Sequence, residues 1–128
     1  MKAYLLQRIV EMTEQTELAT EPDWVVWGLT TRSAIYLELG QIDSAIDDLD
    51  TAITVPGIPM EKLESVLRKR SWLKYSANQY AAALMDMEQI IHTPEMPRDL
   101  VLGAKLQINE IIRGASAAGV DLRSGTIQ

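Results

Sequence analysis

Apolar residues along this chain recur at helical spacing. Ile42, Ala45, Ile46, Leu49, Ala52 and Ile53 form one stripe, and Tyr80, Ala83, Leu84, Met87, Ile90 and Ile91 form another. A longer helix is predicted before each, from about Pro22 to Leu39 and from about Pro59 to Ala77, with proline where a first turn tolerates it. Gly40 and Asn78 follow as stops, because glycine and asparagine most readily take the left-handed conformation that ends a helix. A helix near Ala3 to Leu18 comes first, with Leu5, Leu6, Ile9 and Val10 as its expected buried stripe. Another comes last, from about Pro97 to Arg113. The fold class expected is all-α, with about six antiparallel helices.

The two stripes belong to a longer self-similarity. Moving the segment from Leu29 to Pro59 along by 38 residues superimposes it on identical residues at Leu67, Arg70, Ser71, Gln79, Ala83, Asp86, Ile91, Pro94 and Pro97. A period of this size marks stacked supersecondary units, which bury a core between neighbours and offer a continuous surface for binding. The connection between copies is Pro56-Gly57-Ile58-Pro59, echoed as Pro94-Glu95-Met96-Pro97. Two full hairpins are therefore expected, about 24–55 and 59–92, with single capping helices at about 3–18 and 97–113 in one domain over 1–114. The remainder, 115–128, is small and polar. It is expected to hold order only by packing Val120, Leu122 and Ile127 against a helical surface, its own or a neighbouring protomer's.

At 128 residues the chain is long enough for one domain without a staple, and it has no cysteine for a thiolate, a cysteine zinc site or a disulfide. Arg8, Glu11 and Glu14 interrupt the apolar residues at the start, so a signal peptide is not expected there, and no run reaches membrane-spanning length. A cytoplasmic location is the expectation. The formal charge of -6 argues against bulk attraction to nucleic acid or anionic lipid.

From Thr30 to Pro56 the first copy reads TTRSAIYLELGQIDSAIDDLDTAITVP. With Arg32 and Ser33 at the first-helix step, then Tyr36, Gly40, Ala45, Leu49 and Ala52, it resembles a tetratricopeptide repeat of the bacterial variety. The second copy departs from the pattern at Lys74, Asn78 and Ile90. The resemblance covers roughly Val26 to Pro97 and implies a right-handed superhelix of helical hairpins. It further implies a concave groove lined by the first helix of each hairpin. That groove would carry Trp27, Thr30, Thr31 and Ala34 from one copy, and Arg68, Lys69, Trp72 and Tyr75 from the next, extended by Gln107 and Glu110. The lysine and asparagine pair with which some members clamp a C-terminal carboxylate is absent, since Thr30 and Ala34 stand in its place and Lys69 replaces an expected asparagine. Gly103 and Gln107 occupy the corresponding positions of the third helix.

Arg32 and Arg70 recur on a face that otherwise carries leucine and serine, and sixteen residues later each copy has an aspartate, Asp48 and Asp86. Two structural ion pairs are expected, since a semi-buried guanidinium is costly to leave unpaired. Trp72 has the polar neighbours Arg68, Lys69 and Ser76, which favours binding over core packing, whereas Trp27 is balanced between the two. His92, the single histidine, precedes Thr93-Pro94 and reads as a cap or solvated side chain. The run Asp43, Asp47, Asp48 and Asp50 spreads around its helix, so no metal site is expected, and no phosphate loop, dinucleotide motif or nucleophile elbow appears. The expected function is a non-catalytic adaptor, without a cofactor, binding a protein or peptide segment in the groove. The alternative is a self-assembling structural subunit using repeat ends or the tail. Single-stranded RNA binding through Arg68, Lys69, Trp72 and Tyr75 ranks third, given the acidity.

Overall fold

A computed structural model describes residues 2–122 of the chain. Among them are six helices: α1 (Lys2–Leu18), α2 (Pro22–Glu38), α3 (Ile42–Ile53), α4 (Met60–Ser76), α5 (Tyr80–His92) and α6 (Arg98–Ala117). The described residues contain no strand. Contacts divide the chain into two compact units, Met1–Val66 and Leu67–Gln128. The division falls within α4. Sequential hairpins make mostly local contacts, which is why the units separate along the chain.

In the first unit α1 packs on α2 and α2 on α3. Met12, Val26, Leu29, Ile35, Ala45, Leu49 and Ala52 form its core. The α1–α2 approach is close at Gly28, where a Cβ would lie 3.1 Å from Thr16 Cβ and overlap its hydroxyl. The α1 stripe differs from expectation. Met12 is its buried residue, Leu5 and Ile9 are half-buried, and Leu6 and Val10 are exposed. Leu5, Ile9 and Met12 fall on one helical face, while Leu6 and Val10 are rotated off it, and a single neighbouring helix covers only one face.

In the second unit α5 packs on α6, and the core comprises Leu67, Leu73, Ala83, Leu84, Met87, Ile90, Met96, Ala104, Ile111 and Ala115. Here too an expectation is corrected. Gly114 does not end the last helix, which runs on past Arg113 to Ala117 and buries Ala115. The stop is Gly119, at φ 85°. Its N–H donates to the Ser116 carbonyl at 3.0 Å, and the Val120 N–H donates to that of Ala115 at 2.8 Å. Gly114 has a different use: a Cβ there would lie 2.7 Å from Tyr75 Cζ and overlap the hydroxyl, so the glycine makes room for the ring. Of the expected tail anchors, Leu122 is buried, Val120 is exposed, and Ile127 lies outside the described residues.

The hairpin turns match in atomic detail. Gly40 (φ 75°) and Asn78 (φ 63°) both adopt the left-handed conformation. The Gln41 N–H donates to the Tyr36 carbonyl at 2.9 Å and the Gly40 N–H to that of Leu37 at 3.0 Å. Gln79 and Asn78 repeat the pattern to Lys74 and Tyr75 at 2.8 and 3.0 Å. Both are Schellman closures, which satisfy carbonyls that the ending helix leaves without partners. The proline connections match as well, with Gly57 at φ 78° and Glu95 at φ 66°.

Candidate functional site

Of the side chains that recur with the 38-residue period, the leucine, serine, alanine and aspartate pairs are buried and the two arginines half-buried, while the glutamines at 41 and 79 are exposed. In the first unit Arg32 Nε donates to Asp48 Oδ2 at 2.9 Å and Nη2 to Oδ1 at 2.5 Å. The remaining nitrogen, Nη1, donates to Thr13 Oγ1 at 2.9 Å, and that hydroxyl donates to the Ile9 carbonyl at 2.8 Å. The guanidinium carbon also lies 5.9 Å from the Tyr36 ring centroid. Arg32 thereby ties α1, α2 and α3 together. Its hydrogen bonds to Asp48 raise the guanidinium above its ordinary value, against the opposing effect of burial.

In the second unit Arg70 makes the same fork to Asp86, at 3.0 and 2.5 Å. Lys74 stands where the first copy has Tyr36, and its Nζ approaches Asp86 Oδ2 at 3.5 Å. The serines beside the arginines repeat too: Ser33 Oγ donates to the Ala45 carbonyl and Ser71 Oγ to the Ala83 carbonyl, both at 2.8 Å. Asp48 and Asp86 are 4 % and 2 % exposed. A carboxylate so enclosed and doubly hydrogen-bonded is an internal strut, closed to a ligand.

The groove candidates separate into two groups, each within its own unit. On α4, Trp72 is 58 % exposed, with Arg68 and Lys69 exposed beside it. Its ring stacks on Tyr75 at 6.0 Å and 26°, and Tyr75 meets Tyr80 edge-on at 5.5 Å. Tyr75 is half-buried because its far end lies against Gly114. It thus anchors a platform whose outer layer is Trp72. Of the expected extension, Glu110 holds Arg113 at 2.9 Å and is exposed, while Gln107 is half-buried.

On α2, Ala34 is exposed and Thr31 is half-buried. The Thr30 hydroxyl is occupied by the Val26 carbonyl at 2.9 Å. Trp27 is 42 % exposed and meets Trp24 edge-on at 5.8 Å and 80°. Trp24, itself 61 % exposed, is absent from the sequence-derived groove. A readable signal was there, since tryptophans three apart on a helix share a face. Together they border a cleft of about 350 Å³ at the C-terminal end of α1.

His92 is exposed, and its Nδ1–H donates to the Glu88 carbonyl at 2.8 Å, one turn back on α5. Among the described residues no group of three or more His, Asp or Glu side chains is placed to hold a metal ion, and no helix is long and apolar enough to cross a membrane. No protein-family model, curated protein or solved structure matches the chain.

Proposed function

We propose that the chain is a helical-repeat adaptor of the tetratricopeptide type that binds a segment of another protein through exposed side chains of the first helix in each hairpin. One observation carries this reading: Trp72 projects from a polar helical face onto a platform held by Tyr75 and Gly114. A large ring left in water on a rigid support gives up little entropy on binding and buries much apolar area, the profile of a binding hot spot. Arg68 and Lys69 beside it suit a partner segment with some negative charge. The atomic equivalence of the two hairpins supports the repeat assignment, through the Schellman closures, the Arg–Asp forks and the Ser-to-carbonyl bonds.

The test is photo-crosslinking in the native cell, with the reactive residue placed at Lys69 or, as a control, at exposed Gln89 of α5. A discrete adduct at 69 that is absent at 89 supports the reading. Equal labelling at both positions, or none, contradicts it.

A second reading, self-assembly through the repeat ends, draws on exposed Leu6 and Val10 of α1 and exposed Leu102 and Leu106 of α6. Light scattering over a hundredfold concentration range distinguishes the two: a constant monomer mass supports the adaptor, and a rising mass the assembly.

A further inference from the structure

The chain exposes a second aromatic platform of the opposite charge, and its surroundings specify a ligand chemistry. Trp24 and Trp27 stand edge-to-face at 5.8 Å, so their ring planes form two walls at 80°. Leu18 and Gln15 of α1 and the backbone at Gly28 complete a cleft of about 350 Å³, and the charged residue lining it is Glu21. On its other side Trp24 borders a second cleft of about 350 Å³, lined in part by Glu21, Asp23 and Pro59. Neither cleft is lined by a lysine or arginine.

The two carboxylates are open to a ligand. Among the described residues neither Glu21 nor Asp23 forms an ion pair, and Glu21, although it is the N-cap of α2, makes no side-chain capping bond. Both are exposed. An exposed indole face attracts cations through its quadrupole, and a second indole set across it offers an apolar wall to a methylene stem. Carboxylates on both sides of the same ring add Coulomb attraction at the rim. The Trp72 platform has exposed Lys69 beside it, whose like charge disfavours such a group.

We propose that the Trp24–Trp27 cleft binds a cationic side chain, an arginine or lysine presented by a basic segment of another protein. The stem lies between Trp27 and the end of α1, and the charged head lies over Trp24 within reach of Glu21 and Asp23. This does not depend on the partner proposed for the α4 face.

The test uses the full chain labelled with nitrogen-15, its three indole N–H signals assigned by single tryptophan-to-phenylalanine variants. N-acetylarginine amide is titrated to tens of millimolar, with N-acetylcitrulline amide as the isosteric neutral control. The expected result is a saturable shift of the Trp24 and Trp27 signals with arginine, none at Trp72, and none with citrulline. The double variant Glu21→Gln, Asp23→Asn should weaken the arginine affinity by about threefold to tenfold while the indole signals keep their dispersion. Equal shifts with citrulline, a Trp72 response as large as that of Trp24, unchanged affinity in the double variant, or no saturable shift would each overturn the proposal.

Discussion

Arg32 and Asp48 are joined by two parallel hydrogen bonds, at 2.9 and 2.5 Å, and the third arm of the guanidinium reaches Thr13 on α1. An ion pair enclosed to this degree is weak evidence of net stabilisation, because desolvation offsets much of the Coulomb gain. Its value is directional. The planar fork fixes the register of α2 against α3, and the extra donor fixes α1 on both.

Breaking this pair from one side should therefore cost far more than removing it. Arg32→Ala leaves the Asp48 carboxylate buried without its cation and should lose roughly 3 kcal/mol in urea unfolding. Arg32→Met with Asp48→Leu should lose much less than the sum of the two single changes. Additive losses would show that the pair is not coupled.

The second copy should respond more mildly. Asp86 keeps Lys74 at 3.5 Å when Arg70 is removed, whereas Asp48 has the uncharged Tyr36 position beside its arginine. Arg70→Ala is expected to destabilise less than Arg32→Ala, and Lys74→Met should remove that difference. Equal losses for the two arginine variants would contradict this.

Two glycines of α6 should respond with opposite sign. Gly114→Ala drives a methyl group into the Tyr75 ring and should cost about 1–3 kcal/mol. Gly103→Ala meets nothing within 4 Å in the interior of the same helix and should gain about 0.5–1 kcal/mol. Thermal unfolding of the two variants decides the matter; a Gly114→Ala protein as stable as the parent contradicts the close packing.

Glu95 occupies a left-handed conformation where the first copy uses Gly57. A non-glycine residue there carries about 1–2 kcal/mol of strain, partly offset by the greater freedom of glycine in the unfolded chain. Glu95→Gly should raise stability by about 0.5–1 kcal/mol. A fall in melting temperature would count against the equivalence of the two connections.

What the sequence reveals and what it hides divide along a physical line. Features set by local chain geometry are legible: the stops at Gly40 and Asn78, and the Arg–Asp spacing that spans one hairpin. Features set by contacts distant in sequence are not. Gly114 looks like a helix stop, and only the position of Tyr75 shows that it is a gap for a ring. Leu6 and Val10 look as buried as Leu5 and Ile9, because the pattern of α1 does not say how many neighbours cover it. Trp24 is missing from the groove that the family resemblance implies, although its three-residue spacing from Trp27 puts both rings on one helical face.

The proposed binding of a partner segment rests on an exposed ring on a rigid platform, Trp72 on Tyr75. The most direct measurement is a calorimetric titration of the segment identified by crosslinking, comparing the parent protein with Trp72→Ala and recording the melting temperature of each. The expected result is an affinity loss of about thirtyfold or more, since hot-spot truncations cost about 2 kcal/mol or above, with the melting temperature unchanged within about 2 °C. A variant that binds as tightly as the parent, or one whose melting temperature collapses, would contradict it.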